Sequence, residues 1–363
     1  LKMFVNSEDI FSSIPILSAS VKVTRKCNLA CKHCYVANKN FDYQSELSVN
    51  EIKLIIEQLY EAGCLDLYLN GGEPFLNENI LEICEFAHNK GLRISVSTNG
   101  ITIDEEIIKI LSKFNLKIFQ VSIDGLEETH DKIRNKIEAF REGIKALNLA
   151  KRYFKNSDTT VIMATTLMED NKNQIFKLYD LACELNVDTY ALIPLLPTGR
   201  ACSAIDVSVK EKMDIFSNIA EYFVSKNTST ELSLILPPGL IPKVLSTRKY
   251  GKGYYCTFPN IIGIDSNGNI APCDGLLNIN ELIIGNIREK TIEECWYSFV
   301  MEEIRNINVN QLKGVCSMCK FLSTCRGGCR AYAYIKTGSF YASDPLCQEI
   351  YEAGLFPKES LKT

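Results

Sequence analysis

Apolar and polar positions alternate with two different periods between residues 18 and 198. Ser18–Thr24 reads Ser-Ala-Ser-Val-Lys-Val-Thr and predicts a first strand. Glu51–Ala62 instead repeats its apolar residues at helical spacing. Ser48-Val-Asn-Glu51 supplies a capping box before this segment and Gly63 closes it. The two periods keep trading places along the chain. Strands are predicted at Asp66–Leu69, Arg93–Ser97, Lys117–Ile123, Thr159–Thr165 and Thr189–Ile193. Helices are predicted at Asn79–Lys90, Glu105–Phe114, Ala139–Phe154 and Lys172–Leu185. Six strands separated by helices imply an α/β fold with a parallel sheet and crossover connections. In such sheets, ligands gather at the carboxyl ends of the strands.

The pattern loosens after residue 198. Residues 199–250 read as a bridge, with one helix at Lys210–Ser225 and a break at Pro237-Pro238-Gly239. From residue 251 to 363 the composition shifts toward Cys, Gly and aromatic residues, which marks a separate cysteine-rich module. Residues 1–17 form an N-terminal extension. No internal repeat or low-complexity segment is present.

Composition narrows the function classes. The 363 residues are 46% hydrophobic with a formal net charge of −4 and no Lys/Arg-rich run, which argues against nucleic acid as a partner. No apolar stretch is long enough to span a bilayer, and the first residues lack the layout of a signal peptide. The expected location is the cytoplasm. In that reducing compartment, 15 cysteines point to metal rather than to disulfides. Cys64, Cys84, Cys183 and Cys202 are scattered and read mostly as small buried hydrophobes.

Cys27, Cys31 and Cys34 spell C-x3-C-x2-C directly after the first predicted strand. Three thiolates can hold a [4Fe–4S] cluster while leaving one iron open to a small molecule. A structural zinc needs four ligands, and no fourth Cys or His follows at finger spacing. His33 lies inside the loop, too close to Cys34 to be an easy extra ligand. The spacing resembles the cluster motif of the radical S-adenosylmethionine (radical SAM) superfamily. That resemblance implies a partial (β/α)6 parallel barrel, with S-adenosylmethionine at the open iron. It also implies hydrogen abstraction by a 5′-deoxyadenosyl radical.

Motifs at later strand ends agree with it. Gly71-Gly72-Glu73-Pro74 looks like the family's GGEP motif, whose backbone meets the methionyl amino group. Alone it would be an ordinary turn, although its glycines permit close backbone approach. Ser97 and Asn99 resemble the S-x-N-G stretch, and Ser122 and Asp124 end the fourth strand. His130-Asp-Lys-Ile-Arg134 is similar to the H-D-x-x-R pattern. The resemblance implies that Ser122 and Arg134 hold the ribose and carboxylate of the cofactor. Arg suits a carboxylate through its planar fork. The other reading of Arg134 is a solvated charge at a helix end. Leu195 falls where the family packs an apolar residue on adenine.

Cys256-x11-Gly268-x4-Cys273 is followed by Cys316-x2-Cys319-x5-Cys325-x3-Cys329 and then Cys347. This series resembles the SPASM module, a cysteine-rich C-terminal iron–sulfur domain. A zinc ribbon built on Cys316/Cys319 and Cys325/Cys329 would strand the other three cysteines. The resemblance implies one auxiliary [4Fe–4S] cluster on Cys316, Cys319, Cys325 and Cys347, and another on Cys256, Cys273 and Cys329. With the first loop, the chain is expected to hold three clusters. Sulfatase-maturing members carry a further cysteine before the first of these seven. Here Tyr250 stands in that neighbourhood, which leaves an open iron or a non-cysteine ligand in the inner cluster. Cys295 reads as a helix-packing residue. Asp274, directly after Cys273, matches a general-base position in sulfatase-maturing enzymes, where a low-dielectric cavity raises proton affinity. A turn-forming Asp before Gly275 is the alternative.

The expected activity is modification of a peptide or protein side chain, as in ribosomal peptide maturation. A flavodoxin- or ferredoxin-type protein would supply electrons. About seventeen residues precede the first strand, too few for the winged-helix recognition domain of many peptide maturases. A peptide would then need a separate recognition protein or bind directly in the barrel. The segment from Gly327 to Gly338 and Asp344-Pro-Leu-Cys347 also resembles enzymes of alternative haem and haem d1 synthesis. Tetrapyrrole modification is thus the alternative, along with sulfatase maturation. A non-catalytic iron–sulfur electron carrier would have no use for the Gly71–Pro74, Ser122 and Arg134 motifs.

Overall fold

The computed structural model describes residues 15–37, 41–245, 258 and 260–362. Its frame is one parallel sheet. The strands are β1 (Ser18–Thr24), β2 (Asp66–Gly71), β3 (Arg93–Thr98), β4 (Leu116–Ser122), β5 (Thr160–Leu167), β6 (Thr189–Pro194) and β7 (Glu231–Leu234). They pair in sequence order, each parallel to the next. The crossover helices are α1 (Val49–Glu61), α2 (Ile80–Asn89), α3 (Glu105–Leu111), α4 (Glu127–Arg134), α5 (Ala139–Tyr153), α6 (Ile175–Glu184) and α7 (Val209–Ser225). Ser48 and Glu51 form the expected capping box at the start of α1. The strand order is linear, so the barrel stays open. No helix among the described residues is long and apolar enough to cross a membrane.

β1 shows why a parallel strand in this fold is buried on both faces. Ala19, Val21 and Val23 join the main hydrophobic core on the helix side. Ser20, Lys22 and Thr24 alternate with them and carry their polar groups to the opposite face.

The sheet does not stop at six strands. β7 adds an edge beyond β6, and β8 (Ile261–Ile264) pairs in parallel with β1 on the other side. β9 (Asn269–Ala271) and β10 (Gly285–Asn286) continue it antiparallel. The bridge and the cysteine-rich region therefore share the sheet, and Ile262, Ile264, Trp296, Cys347 and Ile350 lie in the same core as Val21. The run Glu-Leu-Ser-Leu of β7 alternates at every position but is only four residues long, too short to be read from sequence. Helix α4 is almost wholly polar, with no apolar stripe to mark it.

An ion pair fixes the two regions where they meet at β1. Arg25 forks onto Asp265, with Nε 2.8 Å from Oδ1 and Nη2 on Oδ2. It also donates to the carbonyl of Val36 and to Asn278. Arg25 and Asp265 are 7% and 2% exposed. Removing one partner strands the other charge in the core, so Asp265→Ala is expected to lower stability by about 3–5 kcal/mol. Arg25→Met combined with Asp265→Leu should recover most of that loss. Anaerobic urea unfolding of the three proteins checks both statements.

Candidate functional site

Cys27, Cys31 and Cys34 sit on the loop that leaves β1 and line a cavity of about 400 Å³. The carboxyl ends of β2 to β6 supply the rest of its wall, through residues such as Asn70, Ser97, Gln120, Ser122, Thr166 and Ile193. The loop has no regular structure and is held from outside. Lys32 N donates to the carbonyl of Ile133 at 3.0 Å. Arg200 donates its backbone N–H to the Cys34 carbonyl and its Nε to the Cys31 carbonyl, each at 2.9 Å. Gly199, at φ +60, passes so close that a Cβ would lie 2.6 Å from the Cys34 carbonyl oxygen. Burial pushes the Cys27 thiol up to about 11 and raises Cys31 as well. Three thiolates here need a positive core, and no three Cys, His, Asp or Glu among the described residues converge on a single-ion position. The donor set therefore fits an iron–sulfur cluster better than a lone zinc.

Gly71 and Gly72 line the cavity, but their missing side chains answer to the protein's own backbone. A Cβ on Gly71 would stand 2.0 Å from the Thr24 carbonyl oxygen, and one on Gly72 2.2 Å from that of Lys26. The N–H groups of Gly72 and Glu73 bond to those same two carbonyls at 2.8 Å. The pair of glycines thus clamps the end of β2 onto the cysteine loop. Glu73 is 1% exposed and accepts from Thr98 Oγ1 at 2.7 Å, Asn99 N at 2.8 Å and Phe75 N at 3.3 Å. Burial outweighs these bonds and pushes its carboxyl up to about 7. Pro74 opens a 3-10 turn, Pro74–Leu76, outside the cavity lining. Asn99 also lines the cavity, and its amide donates to Asn28 of the cysteine loop at 2.8 Å.

Arg134 is 7% exposed and is not a solvated charge. Its Nη2 lies 2.5 Å from Asp124 Oδ2, and its Nη1 is 3.7 Å from Cys31 Sγ. Asp124 also accepts from Thr166 N at 2.9 Å, while its own N–H donates to His130 Nδ1 at 2.9 Å. Burial pushes Asp124 up, but Arg134, His33 and His130 more than offset it, and its carboxyl stays below the usual range. Asp124 is thus the counter-ion of Arg134.

Leu195 requires a correction. It packs with Ile133, Met168 and Ala201 in a small apolar cluster, while Ile193 and Leu196 line the cavity instead. The chain turns as β6 ends, and the neighbouring side chains face the site. Sequence reasoning also missed His33 and Arg200, both in the cavity wall. His33 Nε2 lies 3.3 Å from Asp124 Oδ2, and its Nδ1 is buried without a hydrogen-bond partner among the described residues. Its place between two of the cysteines was the available signal. For Arg200 the signal was Thr198-Gly-Arg200, just beyond a strand end.

Of the C-terminal cysteines, Cys316, Cys319, Cys325 and Cys347 together line one small cavity with Val315, Leu322 and Phe356. Burial raises Cys347 well above its ordinary value and pushes Cys325 up to about 11. Cys273 and Cys329 pack against a different apolar cluster, around Phe258, Leu276 and Ala331. Cys256 and Tyr250 lie outside the described residues. Cys295 is buried beside Trp296, whereas Cys202 is exposed, contrary to the expectation of a buried hydrophobe.

Asp274 opens the 3-10 turn Asp274–Leu276, yet its carboxylate reaches back to β1. It pairs with the buried Lys22 and accepts from Ser20 Oγ at 3.3 Å and from Tyr35 OH at 3.0 Å. Tyr35 lines the cavity, and the negative charge of Asp274 beside it pushes its hydroxyl well above the ordinary value.

Two outcomes follow from these environments. Arg134→Ala leaves Asp124 charged and buried, and should cost about 3–5 kcal/mol of stability, most of it regained when Asp124→Asn is added. Glu73 binds its proton more tightly in the fold than in the unfolded chain. Its contribution is therefore fully present below about 4.5 and is lost as pH rises through about 7. Wild type should lose stability relative to Glu73→Gln across that window, by up to about 1.4 kcal/mol per pH unit. Paired urea titrations at pH 5 and 7 measure the difference.

The sequence profile of the Radical SAM superfamily matches residues 21–197, and that of the SPASM iron-sulfur cluster-binding domain matches residues 256–320. The AdoMet-dependent heme synthase of Methanosarcina barkeri is 30% identical over 351 residues, covering 92% of this chain and 96% of that protein. The mycofactocin maturase MftC of Mycolicibacterium smegmatis is 26% identical, covering 94% of this chain and 85% of that protein. Among solved structures, anSMEcpe with bound AdoMet superposes with a TM-score of 0.73 at 22% identity, covering 93% of this chain and 95% of that one. This last likeness concerns the fold. Cysteine loop, open parallel barrel and end-to-end similarity agree, and the chain belongs to the radical SAM superfamily, with a SPASM iron–sulfur domain following the barrel.

Proposed function

We propose that this radical SAM enzyme acts on a tetrapyrrole that carries carboxylate side chains. The observation that carries this reading is the 30% identity to a heme synthase along nearly the whole of both chains. The charge of the cavity supports it, since Arg200 in the wall has no acidic partner among the described residues. A second reading keeps the peptide or protein side chain as substrate. It is favoured by the 26% identity to a mycofactocin maturase over 94% of this chain.

Cys27, Cys31 and Cys34 would hold the cluster that meets S-adenosylmethionine. Cys316, Cys319, Cys325 and Cys347 would hold one auxiliary cluster, and Cys256, Cys273 and Cys329 another. When bound, cofactor and first cluster supply hydrogen-atom abstraction. The chain's own residues position and enclose. Gly71, Gly72 and Glu73 fix the cavity wall against the cysteine loop. Ser97, Asn99 and Ser122 offer hydrogen bonds to the cofactor, Arg134, held by Asp124, brings its positive charge to the cofactor's carboxylate, and Ile193 and Leu196 take the apolar role expected of Leu195. Asp274 is proposed to face the substrate through Tyr35, as a proton acceptor if the reaction releases a proton.

Anaerobically reconstituted protein should carry about twelve irons per chain, falling to about eight when Cys27, Cys31 and Cys34 are all changed to Ala. With a strong reductant, iron coproporphyrin III should raise 5′-deoxyadenosine formation above the substrate-free rate. Stimulation by a Cys- or Gly-rich peptide and none by the porphyrin would replace the first reading with the second. Undiminished 5′-deoxyadenosine from the triple variant would overturn both.

A further inference from the structure

Among the described residues, the charged side chains that line the cavity are engaged by a counter-ion or by several hydrogen bonds, with Arg200 the exception, and two cations behind the wall are paired as well. Lys22 is held by Asp274, Arg25 by Asp265 and Arg134 by Asp124. The two carboxylates in the wall are also engaged, Asp124 by Arg134 and Glu73 by a hydroxyl and two backbone N–H groups. Arg200 stands apart. Its Nε is anchored on the Cys31 carbonyl at 2.9 Å, which fixes the plane of the guanidinium. Nη1 and Nη2 have no partner among the described residues, and the side chain is half-buried in the cavity wall. A guanidinium held by one edge presents two parallel donors from the other, the geometry that suits a carboxylate.

The neighbouring wall indicates what would carry that carboxylate. Thr198 and Gly199, just before Arg200, pack on the backbone of Tyr35. Tyr35, Val36, Pro194 and Leu196 line the same cavity. Aromatic and apolar side chains therefore line the same cavity as the free fork. Arg134 lies next to Cys31 Sγ, so the cysteine loop separates two cationic positions: Arg134 close to the thiol and Arg200 anchored on the carbonyl side.

We propose that Arg200 forms a carboxylate subsite for the substrate, distinct from the position served by Arg134, and that it takes an acidic side chain borne on an apolar or aromatic body. This deepens the reading of the cavity as the reaction site and rests on it. It does not depend on whether the body is a tetrapyrrole or a peptide. The same anchor that fixes the cysteine loop would then fix the substrate's acid, so that substrate and cluster loop share one reference point.

The test uses the reconstituted holoenzyme saturated with S-adenosylmethionine. Arginines are labelled with phenylglyoxal, and the peptide bearing Arg200 is followed by mass spectrometry. Propionate is the probe and propionamide its uncharged control. Propionate is expected to slow labelling of Arg200 at least about threefold relative to propionamide, while the exposed Arg141 labels equally in both. Equal labelling of Arg200 with the two compounds would overturn the subsite. Full protection by S-adenosylmethionine alone, with nothing added by propionate, would assign the fork to the cofactor and overturn it equally. So would an Arg200 that resists labelling under every condition.

Arg200→Gln keeps an N–H donor for the Cys31 carbonyl and removes the charge. Its iron content and S-adenosylmethionine affinity should match wild type. Iron coproporphyrin III, titrated by its Soret band, should bind at least about tenfold more weakly, the loss of one charge-assisted pair. If wild type does not bind this porphyrin, the tetrapyrrole reading falls, while protection by propionate still decides Arg200. If wild type and variant bind it equally, Arg200 is only a clamp for the loop.

Discussion

The close approach of two backbones holds the site together. β1 runs out of sheet at Thr24, and the chain must then present three thiols on a loop without regular structure. Its carbonyls at Thr24 and Lys26 are met by the N–H groups of Gly72 and Glu73, at a separation that leaves no room for a Cβ. Glu73 is then turned into the protein, where Thr98 and Asn99 from β3 hold its carboxyl. Three consecutive strand ends are bound to one another in this way, and the loop inherits rigidity it cannot generate itself. Arg200 from the far side of the barrel closes the arrangement by bonding the loop carbonyls at Cys31 and Cys34.

β1 carries a second burden. It is the hinge of the sheet, paired to β2 on one side and to β8 of the cysteine-rich region on the other. Its polar face sends Lys22 to Asp274 and, one residue past its end, Arg25 to Asp265. Both bonds cross from the barrel into the auxiliary region, and both start within five residues of Cys27 or nearer. Buried pairs of this kind add little net stability but penalise any arrangement that separates the partners. They define the position of the auxiliary region relative to the first cysteine loop, which a hydrophobic interface alone would leave freer to slide.

Much of this was legible in the sequence because period and chemistry coincided. Six strands and their crossovers followed from alternating apolar patterns, and the motifs fell at strand ends where a parallel sheet gathers its ligands. Elements without an apolar signature were not legible. Helix α4 is polar apart from Ile133, and its buried residues are mainly Arg134 and His130 rather than a packing stripe. β7 is too short to be read. Leu195 packs in a small apolar cluster while its neighbours Ile193 and Leu196 line the cavity, a distinction at a strand end that no sequence pattern marks. The reason for Gly71 and Gly72 was half visible: close approach was foreseen, but the approaching backbone belongs to β1 as well as to the cavity. Pairings such as Lys22 with Asp274 join residues far apart in sequence, and no local pattern announces them.

The cysteine-rich region solves a related problem with one carboxylate. Cys329 belongs to one proposed ligand set and Cys347 to the other, and both lie at helix starts: α8 (Arg330–Thr337) follows Cys329, and α9 (Pro345–Glu352) contains Cys347. Asp344 caps α9, its Oδ1 accepting from Leu346 N at 3.1 Å and Cys347 N at 3.3 Å. Its Oδ2 accepts from Cys329 N at 2.8 Å. Gly328, at φ +69, has no Cβ because one would lie 2.4 Å from that same oxygen. The backbone at Cys329 cannot shift without dragging Asp344, and Asp344 cannot shift without uncapping the helix that orients Cys347. Interleaved ligands thus become mechanically coupled ligands. The two proposed ligand sets are thereby linked through a single buried side chain, over the span of two hydrogen bonds.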